Sequence, residues 1–189
     1  TLNPSLDYYM EFENLNLGAI NRSTKEFFEP GGKGINVSIV LNNFKISTRA
    51  LGFVGGFTKE YFVKRLQKYE YIQPNFTYIE EATRINVKIY GQNETDLNAK
   101  GPKVTEEEKN QMLKRVERLN PVDILVLSGS CPDNCFDMAE KMMQICKENN
   151  TEIVLDCKPS TMKAFLKYKP LLVKPNHDEI EEMFGVKLN

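Results

Sequence analysis

Apolar and polar positions along this chain switch period repeatedly, and each switch marks an element. Lys25-Glu26-Phe27-Phe28-Glu29 reads as a strand, ended by Pro30 and by Gly31-Gly32-Lys33-Gly34. Beyond these glycines Val37, Val40, Leu41 and Phe44 recur at i, i+3, i+4 and i+7, which predicts one apolar face of a helix. Ser47–Val54 predicts a strand, and Thr58 caps a helix carrying Phe62, Leu66 and Tyr69. Asn75–Ile79 is strand-like. Thr105-x-x-Glu108 is a capping box for a helix with Met112, Leu113, Val116 and Leu119 on its apolar face. Asp123–Leu127 predicts a buried strand, and Ala139, Met142, Met143 and Cys146 mark the next helix. The strand Glu152–Asp156, a helix near Ser160–Tyr168, the strand Leu171–Val173 and a helix from Asn176 complete the series. This alternation predicts a parallel α/β sheet with helices on both faces.

Two stretches depart from the alternation. Tyr8–Glu29 and Arg84–Leu97 read as extended pieces with no helix between their strands. Ile85-x-Val87-x-Ile89 alternates with period two, which suits a half-exposed sheet. They predict a small separate sheet projecting from the main one, placed to cover a ligand or to pair with another subunit.

Composition narrows the classes. A chain of 189 residues with 41% apolar positions is globular and long enough for one domain with a core. A net charge of -1 excludes a general nucleic-acid-binding surface. Cys131, Cys135, Cys146 and Cys157 show no zinc-like spacing with the lone His177 and read as free thiols. No apolar run approaches the roughly 18 residues of a membrane span, and no signal peptide opens the chain. A cytoplasmic protein is the expectation. The chain starts at Thr1 without a methionine and stops just after a helix, so a part of a longer protein is expected.

Candidate chemistry collects at predicted strand ends, where open α/β sheets bind ligands. Gly31, Gly32 and Gly34 at a helix start let a polar ligand approach free N–H groups, and the helix dipole favours negative charge there. Lys33 adds a positive charge and Asn36 a side chain able to bond a hydroxyl. The spacing is not that of a Walker A loop. Asn3-Pro4-Ser5-Leu6-Asp7 is expected to follow the first strand, Gly55-Gly56 follows Gly52-Phe53-Val54, Ser128-Gly129-Ser130 follows Ile124–Leu127, and Lys174-Pro175-Asn176 follows Leu171–Val173. Asp7 could accept hydrogen bonds from sugar hydroxyls or serve as a turn carboxylate. Arg84 could grip a phosphate with two hydrogen bonds or lie solvated on a strand edge. Asn176 and Glu179, three apart at a helix start, could hold the water shell of Mg²⁺ or simply cap the helix.

Six motifs, in order, resemble one family. They are Asn3-Pro4-x-x-Asp7, Pro30-Gly31-Gly32-Lys33-Gly34-Ile35-Asn36-Val37, Ala50-Leu51-Gly52-Phe53-Val54-Gly55-Gly56-Phe57, Thr83-Arg84-Ile85-Asn86-Val87-Lys88, Ser128-Gly129-Ser130-x-Pro132 and Lys174-Pro175-Asn176-x-x-Glu179. Together they span essentially the whole chain and are similar to the PfkB-type sugar kinases, in the branch that contains 1-phosphofructokinase and tagatose-6-phosphate kinase. The Arg84–Lys88 and Ala50–Phe57 runs look more like the former.

The resemblance implies a ribokinase-like α/β fold: a three-layer α/β/α core with a mostly parallel sheet plus a small β-sheet lid. Here that would be one kinase domain over 1–189, with lid segments at about 8–30 and 84–97. It implies that Asp7, Gly31, Gly32, Lys33 and Asn36 hold the sugar end, and that Arg84 and Ser130 hold the existing phosphate. Arg22 matches a basic lid position that in some members reaches the partner's site, which implies a homodimer through the lid. Lys174 and Asn176 would lie toward ATP, and Glu179 would organise Mg²⁺. The family's Gly-x-Gly-Asp motif, which carries the catalytic base and the anion hole, does not occur in this sequence. Thus no catalytic base is assigned, and the C-terminal part of the fold is expected to lie outside the chain. Cys131, Asp133 and Asn134 replace the commoner Leu, Pro and Gly, and Cys157-Lys158-Pro159 departs from the usual small polar turn. The expected reaction is ATP-dependent phosphorylation of fructose 1-phosphate at C6 to fructose 1,6-bisphosphate. Tagatose-6-phosphate kinase and a non-catalytic sugar-phosphate-binding protein are the alternatives.

Overall fold

The computed structural model describes residues 1–188. Its first half contains β1 (Ser5–Glu11), β2 (Lys25–Gly31), α1 (Lys33–Asn43), β3 (Thr48–Ala50), β4 (Phe53–Gly55), α2 (Thr58–Leu66), β5 (Ile72–Pro74), β6 (Thr77–Ile79), β7 (Arg84–Tyr90) and β8 (Thr95–Leu97). Its second half contains α3 (Glu106–Val116), β9 (Ile124–Gly129), α4 (Phe136–Glu148), β10 (Glu152–Cys157), α5 (Pro159–Phe165), β11 (Leu172–Val173) and α6 (His177–Phe184).

Local chemistry accounts for the best-defined helices. At α3 the Glu108 N–H donates to Thr105 Oγ1 while the Thr105 N–H donates to Glu108 Oε2, at 3.3 and 2.7 Å. Glu106, Glu107 and Glu108 fill its first turn and Lys114 and Arg115 its last, matching the helix dipole. Asn176 and Glu179 make the same reciprocal pair at α6, and Gly185 ends that helix in the left-handed conformation. In α4, Met138, Ala139, Met142, Met143 and Cys146 are buried on one face.

Strands β9, β10 and β11 form a parallel ladder in the order β11-β10-β9. Leu125, Leu127, Ile153 and Leu155 alternate into the larger core, where Met112, Val116, Met142, Met143 and Phe165 meet them. A second core of Ile35, Val54, Phe62, Leu66, Ile72 and Phe76 lies around the parallel pairs β3–β5 and β4–β6. The four-stranded sheet β2-β1-β7-β8 is separate. In it β1 runs antiparallel to β2 and parallel to β7, and Tyr8 stacks on Phe28 and Tyr9 on Phe27 across the β1–β2 pair.

Several sequence expectations are corrected. Ser47–Val54 is two strands, β3 and β4, which pair with β5 and β6 respectively; Gly52 between them lies where a Cβ would overlap the Thr1 carbonyl. Thr58 lies inside α2 and is not its cap; its hydroxyl donates to the Gly55 and Thr83 carbonyls. The predicted face of α1 is not the buried one: Val40 and Phe44 are 54% and 72% exposed, whereas Ile35 and Ser38 are buried. Apolar residues occur on both sides of this helix, so packing partners choose its rotation. Asp7 does not follow the first strand but lies within β1. The separate sheet begins at Ser5 and ends β2 at Gly31, so its strands extend beyond the segments expected from the sequence.

Candidate active site

The beginnings of β1 and β7 meet the end of β9 in a hydrogen-bonded polar cluster. Asn3, just ahead of β1, is buried; its Nδ2 donates to the Lys100 carbonyl at 2.7 Å and to Ser130 Oγ at 3.2 Å. Arg84 opens β7. Its Nη2 donates to the Asn3 carbonyl at 3.0 Å and its Nη1 to the Ala99 carbonyl at 2.8 Å. Burial depresses the pKa of this guanidinium, and the nearby Asp7 charge partly offsets that. Arg84 Nε, Asn3 Oδ1 and Ser128 Oγ are buried without a protein hydrogen-bond partner, so the protein's own groups do not satisfy this cluster completely.

Two residues into β1 from Ser5, the Asp7 carboxylate is buried. Its Oδ1 accepts from Ser5 Oγ at 2.7 Å and from Asn86 Nδ2 at 2.9 Å. A Cβ at Gly31 would overlap this carboxylate, so the missing side chain on β2 makes room for it. Gly32 follows at φ 104°, a conformation L side chains rarely adopt, and a Cβ there would crowd Thr1 and Pro4.

A charged cluster adjoins these groups. Lys33 Nζ lies 3.2 Å from Asp156 Oδ1 and 3.5 Å from Glu179 Oε1, and Lys174 Nζ lies 3.2 Å from the same Asp156 oxygen. Asp156 stands at the carboxyl end of β10, opposite Ser128 of β9. Burial by itself lowers the Lys33 pKa, but hydrogen bonding and charge from Asp156 and Glu179 prevail and hold it above the ordinary lysine value. The Glu179 Oε2 accepts from the Asn176 N–H at 2.8 Å, so α6's own cap aims the carboxylate. Two carboxylates gathered on one ammonium are a donor set suited to Mg²⁺, which takes hard oxygen ligands and keeps several of its waters. No group of three or more His, Cys, Asp or Glu that could hold a metal occurs among the described residues.

Asp7, Gly31, Gly32, Arg84 and Ser130 are thus brought near one another, and Lys33, Lys174, Asn176 and Glu179 form the adjoining cluster. Lys33, assigned to the sugar end by resemblance, directs its ammonium to Asp156 and Glu179 instead of Asp7. Asn36 is exposed in the first turns of α1. Arg22 is not brought to the others: it is exposed in the β1–β2 connection, beyond Glu11, which lies four strand steps, about 13 Å, from Asp7. Sequence reasoning missed Asp156, Asn86, Ser5 and Asn3 as parts of the site. Asp156 carried a signal, a carboxylate on the last turn-facing position of a predicted strand. Asn86 carried a fainter one, a polar residue inside an apolar alternation.

Polar groups gathered at strand ends and a glycine-rich entry to α1 define an α/β protein with a ligand-type site at its strand ends. The model of the pfkB family carbohydrate kinases matches residues 1–189, and the chain belongs to that family. It is 41% identical over its full length to the 1-phosphofructokinase of Bacillus subtilis (strain 168), of which it covers 62%. It is 32% identical over 99% of its length to the D-tagatose-1-phosphate kinase of Bacillus licheniformis, again covering 62%. Among solved structures it matches phosphofructokinase-2 of Escherichia coli in complex with substrates and products, with a TM-score of 0.95, 26% identity, and coverage of 100% of this chain and 63% of that one. The fold is accordingly the ribokinase-like α/β fold, and the chain spans about three-fifths of the length of the relatives it matches.

Proposed function

We propose that the protein is an ATP-dependent carbohydrate kinase that phosphorylates fructose 1-phosphate at C6. The observation that supports this reading is the proximity of Asp7, an acceptor for sugar hydroxyls, to Arg84, and the hydrogen bonds that link Arg84 through Asn3 to Ser130, two donors for a phosphate. The identity to a 1-phosphofructokinase supports the substrate. Phosphoryl transfer depends mainly on positioning and on neutralising charge. Asp7 orients the sugar through its hydroxyls, and Arg84 holds the phosphate already present. Lys33 and Lys174 supply positive charge beside Asp156 and Glu179, which would hold a Mg²⁺ through its waters, and such an ion would supply positive charge to the ATP phosphates. Asn176 and Lys174 lie toward the nucleotide. The chain has no Gly-x-Gly-Asp motif, so the proton acceptor is not assigned to any of its residues.

The four-stranded sheet is read as a lid over the sugar and as the contact of a homodimer, with Arg22 on its exposed connection reaching toward a partner. A cytoplasmic location accords with four free cysteines, and no helix among the described residues is long and apolar enough to cross a membrane. The second reading is a tagatose kinase. The sequence-based alternative is tagatose-6-phosphate kinase, and a relative named D-tagatose-1-phosphate kinase makes the 1-phosphate the tagatose substrate to compare.

A coupled assay of ADP release by the intact protein with both sugar phosphates tests the assignment. A higher kcat/KM for fructose 1-phosphate is expected, and a higher value for tagatose 1-phosphate overturns it. In the same assay Arg84→Ala raises the KM for the sugar phosphate by about 10- to 150-fold, the worth of a charge-assisted hydrogen bond. A KM within about twofold of wild type would make Arg84 a scaffold residue only.

A further inference from the structure

Asn86 lies in the middle of β7, buried and directly opposite Asp7 of β1. Both ends of its amide are used. Nδ2 donates to Asp7 Oδ1 at 2.9 Å, and Oδ1 accepts from the Ala99 N–H at 3.2 Å. The carbonyl of that same Ala99 accepts from Arg84 Nη1 at 2.8 Å. The next carbonyl, that of Lys100, accepts from Asn3 Nδ2, which also donates to Ser130 Oγ. Residues 99 and 100 are exposed, so packing does little to hold them and these hydrogen bonds do most of it. An amide is the side chain that can donate to a carboxylate and accept from an N–H at once.

We propose that Asn86 is a positioning residue that couples the hydroxyl-binding carboxylate of Asp7 to the phosphate-binding guanidinium of Arg84 through the 99–100 backbone. This coupling rests on the substrate site proposed above. Through it, Asn86 sets the distance between the two anchoring points of a sugar phosphate without touching the ligand. Any change that releases one end of the amide loosens both anchors together. The charged groups facing the pair are few. Arg84 and Tyr9 feel the Asp7 charge, while Glu29 on β2 is taken up by Arg65 and Lys68, and Asp96 on β8 by Lys88.

Asn86→Ala and Asn86→Asp in the intact protein test the coupling, with Asp7→Asn and Arg84→Ala run in parallel. Asn86→Ala is expected to raise the KM for fructose 1-phosphate by about tenfold and to leave the KM for ATP within about twofold. Asn86→Asp carries the sharper readout. Near pH 5 the introduced carboxyl can keep a proton shared with Asp7, donate it as the amide does, and still accept from Ala99. As pH rises toward about 8 that proton is lost, two carboxylates face each other, and the KM climbs at least about tenfold relative to wild type at the same pH. A purely structural role for Asn86 predicts no such reversible pH dependence in a protein that stays folded. If Asn86→Ala does not fold, the pH series of Asn86→Asp decides alone. A KM of Asn86→Asp that tracks wild type across this range overturns the coupling. If Asp7→Asn and Arg84→Ala also leave the sugar KM unchanged, the substrate site itself is misplaced and the coupling falls with it. If those two raise KM while Asn86→Asp does not respond to pH, the site stands and the coupling alone is wrong.

Discussion

An alanine at position 31 would put its methyl group where the Asp7 carboxylate now lies. Gly31 has an ordinary backbone φ, so the substitution strains nothing except that carboxylate. Gly31→Ala is therefore expected to give a folded protein whose KM for the sugar phosphate rises about as much as that of Asp7→Asn, on the order of tenfold, with ATP affinity kept. An unchanged sugar KM would show that Asp7 does not need its present place. Asp156→Asn acts on the neighbouring cluster. Lys33 and Lys174 are about half exposed, so their ion pairs contribute only about 0–1 kcal/mol and the melting temperature should hardly move. The Mg²⁺ concentration for half-maximal activity should rise instead, and an unchanged Mg²⁺ dependence would remove Asp156 from the metal's surroundings. Nothing local in the sequence marks the Lys33–Asp156 pair, because 123 positions separate the two residues. The glycines, Asp7, Arg84 and the Asn176-x-x-Glu179 pair were legible because each carries its chemistry within a few neighbours.

The two capped helices show how one device can have two consequences. Thr105→Ala removes the α3 cap and should cost about 1 kcal/mol of stability with unchanged kinetics. At α6 the reciprocal pair also aims a functional group, because the Asn176 backbone N–H holds the Glu179 carboxylate beside Lys33. Glu179→Gln keeps an acceptor for that N–H and removes the charge, so it should leave stability nearly unchanged and lower kcat. Urea unfolding and steady-state rates on Thr105→Ala and Glu179→Gln separate the effects, and a kcat of Glu179→Gln equal to wild type would deny Glu179 a role. Both helix starts were readable because a capping box is a four-residue pattern. The rotation of α1 was not, since Ile35, Val37, Ile39, Val40 and Leu41 offer apolar residues to more than one side. The strand β5 escaped notice because three residues are too few to show a period.

The molecule packs around two apolar clusters, and the larger one contains thiols with little access to water. Burial raises the pKa of Cys146 and of Cys157 from 9.0 to about 11. The folded state then holds these protons more tightly than the unfolded state does. Their contribution to stability is complete below pH 9 and is lost as pH rises toward about 11. Unfolding free energies measured across that window should fall, and the fall should be shallower in Cys146→Ala. An identical slope in the variant would mean that Cys146 ionises equally well folded and unfolded.

From sequence alone came the alternation of strands and helices after Gly31 apart from the β3–β4 break and β5, the presence of a second extended unit, and the capped starts of α3 and α6. Each of these follows from interactions within a few residues: hydrophobic period, capping and turn chemistry. The three-dimensional packing was needed to place Asp7 inside a strand of the separate sheet, to turn Lys33 to Asp156 and Glu179, and to set Asn86 between Asp7 and Ala99. These are contacts between distant segments. Their partners are chosen by strand register and by the satisfaction of buried polar groups, which no local pattern encodes.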